Sequence, residues 1–217
     1  LLDREQVRHF ERFHDELVIW NKRINLISRQ DLDNIYERHI LHSLAILKYV
    51  DIPARARCMD LGTGGGFPGI PLKIALPQIS MLLVDSIGKK IKTTGMLAQH
   101  TGMRGIEARQ ARAETLADDP QYRGAFDVIT ARAVAPLVQL VSWVEALLKP
   151  TGKIICLKGG DLTNEIDEAT KKFPHLRVVE HRIVLPGAEW FEEQEKKVLV
   201  CTFTGKPSGT SGGGGGQ

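Results

Sequence analysis

Cysteine is scarce in this sequence, and the few cysteines lie far apart. Among 217 residues there are only Cys58, Cys156 and Cys201, each within an apolar run that is typical of a strand. This spacing excludes a disulfide framework and a cysteine-based metal cluster, and it is typical of buried, reduced thiols in a cytoplasmic protein. We therefore expect no metal site and a cytoplasmic location.

Long apolar runs and a large net charge are also missing. No hydrophobic stretch is long enough to span a bilayer and no signal-peptide pattern opens the sequence, so we expect no membrane partner. The 29 basic and 26 acidic side chains give a formal charge of +3, which permits an anionic partner but does not require one. The composition, 42% hydrophobic and 25% charged, suits one α/β domain with a helical extension.

Glycine, in contrast, is concentrated in one place. A short apolar run that contains Asp60 is followed by four glycines within residues 62–66, and then by an apolar segment with Pro68 and Pro71 near its start. Glycine accepts positive φ angles and has no Cβ, so the backbone can turn sharply and approach a ligand. The pattern predicts a strand, a tight loop and a helix whose first N–H groups face that ligand.

Two cofactors fit this glycine-rich loop. Gly64, Gly66 and Gly69 match the Gly-x-Gly-x-x-Gly pattern of dinucleotide sites. Asp60, Gly62, Gly64 and Gly66 match the acid-x-Gly-x-Gly-x-Gly pattern of S-adenosylmethionine (SAM) enzymes equally well. The position of the acid, at the strand end and two residues before the first glycine, favours SAM.

Apolar strand-like runs alternate with helical periodicity along the chain. The order is βαβαβαβαβαββ, and the strands are expected at 57–61, 79–84, 105–109, 125–131, 153–157, 176–185 and 196–204. Because no helix separates the last two strands, we expect one antiparallel strand on a mostly parallel, doubly wound α/β sheet. This Rossmann-like layout is that of SAM-dependent methyltransferases rather than of dehydrogenases.

The sequence also predicts three regions. Residues 1–52 contain an amphipathic helix at 3–27 and a second helix at about 31–49, capped by Asp31 or Asp33, and we expect this helical hairpin to pack on the main domain. Residues 53–204 form the cofactor-binding domain. The Gly/Ser-rich tail at 205–217 cannot bury apolar surface and should be disordered.

Polar residues follow several of the predicted strands, at the edge where ligands bind in such sheets. Asp85 has the spacing of an acid that binds ribose hydroxyls, or it caps the following helix. Glu114 lies either beside an adenine or on the surface. Arg132 could hold a carboxylate or phosphate, or form a rim salt bridge. Lys158 precedes two glycines, which suggests close backbone approach.

Basic and polar residues also surround the turn of the helical hairpin. They are either a solvated helix face or an RNA contact surface. With Lys158, the candidate RNA-binding residues are Lys22, Arg23, Asn25, Arg29, Arg38 and His39.

Residues 17–160 carry motifs that resemble the bacterial 16S ribosomal RNA guanine-N7 methyltransferases, also known as the glucose-inhibited division protein B family. The run at 66–71 and Ala131-Arg132-Ala133 are far more specific than a generic glycine motif. The matching segments are Trp20-Asn21-Lys22 with Asn25-Leu26, Arg38-His39-Ile40-Leu41, the run at 60–72, Asp85-Ser86 with Gly88-Lys89-Lys90, Arg112-Ala113-Glu114, Ala131-Arg132-Ala133 and Leu157-Lys158-Gly159.

The resemblance implies a cytoplasmic enzyme that binds SAM and methylates 16S rRNA, free or in the small ribosomal subunit. It implies SAM contacts at Gly62, Phe67, Ala113 and Glu114, with Arg132 near the methionine end. The sequence departs from the family at His42, where an Asp is usual, and at 94–95, where an apolar pair is usual. We expect a monomer.

N7 of guanine has an in-plane lone pair, and SAM is already an activated methyl donor, so the reaction needs alignment rather than a general base. This fits a sequence without a convincing catalytic triad or nucleophilic cysteine. No catalytic residue is assigned, and Arg132 and Lys158 are the candidates. The alternatives are a SAM-dependent methyltransferase for another substrate, a nicotinamide-dependent dehydrogenase and a non-catalytic RNA-binding protein.

Overall fold

The structure is a computed structural model that describes residues 2–205, so the tail predicted at 205–217 lies, apart from Gly205, outside the described residues. Within that range seven strands form one sheet in the order β3-β2-β1-β4-β5-β7-β6. The strands are β1 (Arg57–Leu61), β2 (Ser80–Asp85), β3 (Ile106–Gln110), β4 (Phe126–Arg132), β5 (Leu148–Gly159), β6 (Leu176–Arg182) and β7 (Lys196–Phe203).

Strand directions confirm the predicted fold class. The pairs β1–β2, β2–β3, β1–β4 and β4–β5 are parallel. Among the described strands, β7 runs antiparallel to both of its neighbours, β5 and β6. The sheet is therefore mostly parallel and doubly wound, and its strand order reverses between β1 and β4.

Helices cover the sheet and precede it. The helix that follows β4 continues into a 3₁₀ turn at Glu145–Leu147. The α-helices are α1 (Arg4–Asn21), α2 (His42–Leu44), α3 (Ile46–Tyr49), α4 (Gly69–Ala75), α5 (Gly88–His100), α6 (Ala113–Leu116), α7 (Leu137–Val144), α8 (Thr163–Lys172) and α9 (Trp190–Glu193).

Side chains of the central strands alternate between two hydrophobic cores, as the period of a strand requires. Cys58 packs in a core with Phe13 of α1. Its neighbour Met59 packs in the other core, with Leu140 and Val144 of α7. Each central strand is thus buried on both faces, which explains its continuous apolar sequence.

Helix α1 starts as its sequence predicts but ends six residues early. Asp3 Oδ1 accepts hydrogen bonds from the backbone N–H groups of Glu5 and Gln6, both at 2.8 Å, and Gln6 Oε1 accepts one from the backbone N–H of Asp3. At the other end Asn21 Oδ1 accepts from the N–H groups of Leu26 and Ile27, at 2.8 and 3.0 Å. This side chain competes with the helix for backbone donors, so the chain turns instead of continuing to residue 27.

The second predicted helix is also wrong in its details. The chain forms a 3₁₀ turn at Arg29–Asn34, a π-helical turn at Tyr36–Leu41 and then α2 and α3. Ser28, rather than either predicted aspartate, caps the first turn by accepting from the N–H of Gln30 at 3.3 Å. Asp31 is thereby free to form ion pairs further along the chain.

Candidate active site

Asp60 fixes the glycine-rich loop to the sheet through hydrogen bonds. Its side chain is fully buried and accepts hydrogen bonds from Thr63 Oγ1 at 2.6 Å, Gly69 N at 3.0 Å and Thr130 Oγ1 at 2.9 Å. Burial raises the pKa of Asp60 to about 6, while these three hydrogen bonds pull it down. The structure thus places this predicted cofactor residue as the anchor between β1, the loop and β4.

The loop glycines adopt conformations that side chains disfavour. Gly62, Gly64 and Gly66 have φ angles of +64°, +54° and +95°. A Cβ on Gly62 would lie 2.6 Å from Val134 Cγ2, and one on Gly66 would lie 2.5 Å from Ile70 Cδ1. Positive φ and close approach together explain why the sequence has glycine at these positions.

Asp85 ties the end of β2 to the same loop. Its Oδ2 accepts from the N–H of Gly64 at 3.0 Å, and its Oδ1 accepts from the N–H of Ile87, before α5, at 2.9 Å. Each carboxylate oxygen has a second lone pair. The carboxylate can therefore hold the loop and the helix start while accepting hydroxyl groups, and its ribose contact stays a prediction.

A cavity of about 340 Å³ opens at the carboxyl ends of the strands, where the strand order reverses. This is the place where doubly wound sheets bind ligands, and the volume suits a nucleoside. A larger depression of about 860 Å³ lies between α5 and β3, away from the loop. The residues lining the smaller cavity include Gly62, Asp85, Ser86, Ala113, Glu114, Val134 and Trp143.

Ala113 and Glu114 begin α6 on one wall of this cavity. Ala113 is buried, whereas Glu114 is exposed and lies 3.6 Å from Arg112 Nη1. The structure brings the predicted adenine-side pair together with Gly62 and Asp85. Ser86, which the sequence singled out only as part of the Asp85-Ser86 match, and Trp143, which no local motif distinguishes, also line the cavity.

Arg132, at the end of β4, lies beside Phe67 rather than in that cavity. Its Nη1 is 2.8 Å from His39 Nδ1, and its guanidinium carbon is 5.0 Å from the centre of the Phe67 ring. Burial lowers the pKa of Arg132 to about 10, with Asp60 and Asp31 opposing the change, so the side chain stays charged at neutral pH. The site thus continues past the loop to a buried cation.

His39 belongs to this buried group and not to an exposed surface. It is 7% exposed, its ring centre lies 5.0 Å from that of Phe67, and its Nε2 lies 3.4 Å from Asp31 Oδ2. Burial, and then the charge of Arg132, lowers the pKa of His39 to about 4. Asp31 also binds Arg38, whose Nη1 donates a hydrogen bond to Asp31 Oδ1 at 3.0 Å.

Phe67 is enclosed by the N-terminal helices. It is 1% exposed and its ring centre lies 5.3 Å from that of Phe13 in α1. A Cβ on Gly65 would lie 3.2 Å from Ile27 Cγ2 and 3.4 Å from Leu26 Cβ. The N-terminal segment therefore lies directly against the glycine-rich loop and forms one side of the site.

Lys158 faces protein partners in this structure. Its Nζ donates to the carbonyl of Ala135 at 3.1 Å and to Glu165 Oε1 at 2.5 Å. The same carboxylate oxygen accepts from the N–H of Leu137 at 2.6 Å. Lys158 and Glu165 thereby fasten the segment between β4 and α7, and the predicted RNA contact of Lys158 stays a prediction.

The structure divides the other candidate RNA-binding residues into two groups. Lys22, Arg23, Asn25 and Arg29 are exposed around the turn after α1, next to the buried pair at 26–27. Arg38 and His39 instead face Asp31 and Arg132. Of the six candidates around the hairpin turn, four therefore remain on the exposed surface.

His42 occupies the position where the family resemblance leads one to expect an aspartate. It is 5% exposed and packs edge-on against Phe191, at 5.5 Å between ring centres. Its Nε2 has no hydrogen-bond partner among the described residues. Burial, followed by the charges of Arg132 and Lys196, lowers its pKa to about 3, so His42 is neutral at physiological pH.

The glycine-rich loop, the acid after β2 and the cavity at the reversal of strand order fit SAM, and together with the antiparallel β7 they define the class of SAM-dependent methyltransferases. A SAM-dependent methyltransferase from Aquifex aeolicus has the same fold, with a TM-score of 0.58 and 12% identity over 79% of this chain and 94% of that one. A putative methyltransferase from Haloferax volcanii, solved with its Trm112 activator, has a TM-score of 0.63 and 14% sequence identity. The match covers 86% of this chain and 97% of that one.

The chain belongs to the family described as GidB, rRNA small subunit methyltransferase G, whose model matches residues 6–194. A ribosomal RNA small subunit methyltransferase G from Bacteroides thetaiotaomicron is 40% identical, covering 91% of this chain and 93% of its own length. The methyltransferase G from Phocaeicola vulgatus is 42% identical, and the match covers 94% of this chain and 95% of the relative's length. This confirms the family resemblance and removes the dehydrogenase alternative.

Proposed function

We propose that this chain transfers a methyl group from SAM to N7 of a guanine in 16S rRNA. The observation that carries the proposal is the glycine-rich loop beside the strand-end cavity, in a chain whose relatives are ribosomal RNA small subunit methyltransferases. The specific guanine and the N7 position rest on the family resemblance.

The nucleoside end of SAM would bind in the 340 Å³ cavity. The free lone pairs of Asp85 would accept the ribose hydroxyls, and the backbone at Ala113 and Glu114 would border the adenine. The backbone of Gly62 would lie along the ligand, since no Cβ intervenes. Arg132, a buried cation beyond the loop, would bind the carboxylate of the methionine end.

The bound cofactor supplies an activated methyl group, and the protein supplies alignment. The N7 lone pair needs no deprotonation, so no residue has to act as a base. Fixing nucleophile and donor in line can lower a barrier by about 7–11 kcal/mol at best. In this chain Asp60 holds the loop and Arg132 would hold the methionine end of the cofactor, so both would act by positioning.

The exposed turn after α1 is the RNA-binding surface that the structure supports best. Lys22, Arg23 and Arg29 place three positive charges beside the segment that covers Gly65. Such side chains bind phosphates, and Asn25 adds a donor. Arg38, His39 and Lys158 could contact RNA only if it displaced their present partners, which are Asp31, Arg132 and Glu165.

Residues 1–52 would act as an extension packed on the domain at 53–204. The observation that supports this division is a shared hydrophobic core, in which Phe13 and Ile35 of the extension pack with Cys58 and Phe67 of the domain. We also propose a monomer that works in the cytoplasm, where ribosomal RNA is available. No helix in the described part of the chain is long and apolar enough to cross a membrane.

The proposal is tested by offering labelled SAM with several substrates. Small ribosomal subunits and naked 16S rRNA, both lacking the modification, are compared with total protein and with a small-molecule extract. Transfer confined to one or both rRNA samples is the expected result. Transfer to protein or to small molecules alone would favour a methyltransferase of different specificity, and cofactor binding without transfer would favour a non-catalytic RNA-binding protein.

A further inference from the structure

We propose that His39 is a positioning residue for the cofactor, which it serves by holding the Arg132 guanidinium in place. This inference rests on the proposed methyl transfer, because that function gives Arg132 its ligand. The residues involved come from the N-terminal segment and from the end of β4, 93 positions apart in the chain. The N-terminal segment would then complete the cofactor site as well as bind RNA.

The direction of the hydrogen bond follows from chemistry. A guanidinium has only donors, so His39 Nδ1 must accept the 2.8 Å bond from Arg132 Nη1. The ring proton is therefore on Nε2, which lies 3.4 Å from Asp31 Oδ2 without forming a hydrogen bond to it. The negative charge of Asp31 beside Nε2 favours the tautomer that leaves Nδ1 available to Arg132.

Only a neutral imidazole can perform this role, because an imidazolium would repel Arg132. The charged or titratable groups facing His39 are Asp31, Arg38, His42 and Arg132. The ring is buried against Phe67, which disfavours its charged form. His39 therefore stays an acceptor across the pH range in which ribosomes function.

The same contacts define the orientation of Arg132. One of its five N–H donors is used by His39, and one face of the group lies over Phe67. The remaining donors stay available to a carboxylate at the end of β4. Loss of the imidazole acceptor would let the guanidinium rotate, and it would then bind a carboxylate less tightly.

The test compares two substitutions that differ in where they place an oxygen. In His39→Asn the amide oxygen can occupy the position of Nδ1, whereas in His39→Gln it falls near Nε2. We expect His39→Asn to bind S-adenosylhomocysteine within about threefold of the wild type, and His39→Gln to bind it at least tenfold more weakly. Calorimetric titration measures both dissociation constants, and thermal unfolding reports the stability of each variant.

His42→Asn serves as the matched control, since His42 is similarly buried but, among the described residues, does not share the hydrogen bond that joins His39 to Arg132. We expect it to change the melting temperature without a tenfold change in cofactor affinity. In steady-state assays, His39→Gln should raise KM for SAM while KM for the rRNA substrate stays constant.

Equal cofactor affinities of His39→Asn and His39→Gln would overturn the inference, as would an effect of His42→Asn as large as that of His39→Gln. The binding measurements need no rRNA. If the wild type binds S-adenosylhomocysteine but methylates no rRNA, the proposed substrate fails, while the role of His39 is still decided by the titrations.

Discussion

Gly62 is a residue whose backbone and surroundings both disfavour a side chain. Its φ of +64° costs an L-residue about 1–2 kcal/mol, and an added Cβ would collide with Val134. We expect Gly62→Ala to lower the unfolding free energy and to weaken S-adenosylhomocysteine binding at least tenfold. Denaturant unfolding and calorimetry measure the two effects.

Gly124 provides the control for this prediction. It also has a positive φ, +59°, but nothing lies within 4 Å of the position of its Cβ, and it is exposed far from the loop. Gly124→Ala should show the backbone cost without the change in cofactor affinity. If the two variants bind the cofactor equally well, the close approach at Gly62 has no role in binding.

His42 should make the protein less stable in acid. Its pKa is about 3 in the folded chain and about 6.5 when unfolded, so between these values the unfolded state binds a proton that the folded state does not. The unfolding free energy therefore falls as pH falls through this window. Asp60, whose pKa is raised to about 6, contributes in the opposite direction.

The substitution His42→Phe removes this titration and retains an aromatic ring against Phe191. Its loss of unfolding free energy between pH 7.5 and pH 5 should be smaller than that of the wild type by about 2 kcal/mol. Urea unfolding at both values measures the difference, and pH 7.5 serves as the internal reference. If the unfolding free energies of the two proteins fell equally between pH 7.5 and pH 5, the lowered pKa of His42 in the folded protein would be contradicted.

Local patterns predicted part of the site, and long-range pairing determined the rest. The spacing of Asp60, the glycines and Asp85 is visible in the sequence because these residues lie on one strand–loop–helix unit and the next strand. The bond between Asp60 and Thr130 joins residues 70 apart, and it depends on the register of β1 and β4. The contact of His39 with Arg132 joins residues 93 apart, so the sequence named each as a candidate but could not indicate that the two meet.

At the scale of elements, the connection between β4 and α7 depends on a clamp formed by Lys158 and Glu165. This connection carries Val134, which lines the cavity and faces Gly62. We expect Lys158→Met to cost about 1–3 kcal/mol of unfolding free energy, since a partly buried, charge-assisted hydrogen bond is lost. It should also raise KM for SAM several-fold while rRNA affinity stays unchanged.

Lys149→Met is the matched control for the clamp. Lys149 forms an ion pair with Asp127 at 2.7 Å, but this pair is more exposed and lies at the start of β5. A surface ion pair of this kind contributes less than about 1 kcal/mol, so Lys149→Met should lower the unfolding free energy by less than Lys158→Met. A fall in rRNA affinity for Lys158→Met, with an unchanged KM for SAM, would instead support Lys158 as an RNA contact.

The N-terminal helices show why element boundaries were only partly predictable. The apolar stripe of α1 continues to Ile24, so periodicity alone extends the helix. Asn21 ends it by binding the N–H groups of Leu26 and Ile27, a local competition that an apolar period does not reveal. Five of the strands were predicted to within one residue at each end, and a buried run such as β2 is bounded by a polar residue, Asp85. In contrast, β5 begins at Leu148, five residues before its predicted start, and β6 ends at Arg182, three residues before its predicted end.

At the scale of the whole molecule, a net charge of only +3 means that RNA binding must depend on where the charges lie. The exposed Lys22 and Arg29 flank the turn after α1. Replacing both by alanine should weaken rRNA binding and reduce the slope of log affinity against log salt by about 2. Filter binding across a salt series measures this slope.

The same charge change on α8 is the control. Lys171 and Lys172 are exposed at the end of that helix, on an element that does not cover the glycine-rich loop. Their double alanine variant should keep the wild-type slope. Equal slopes for both double variants would place the RNA contact elsewhere on the molecule.

The most direct test of the central claim is to map the methylated atom. Small ribosomal subunits that lack the modification are incubated with the enzyme and labelled SAM, and the 16S rRNA is digested and sequenced by mass spectrometry. We expect label on one guanine, at N7, and no label after Gly62→Ala under limiting SAM. Label on another base, on another atom of guanine or on many guanines would contradict it.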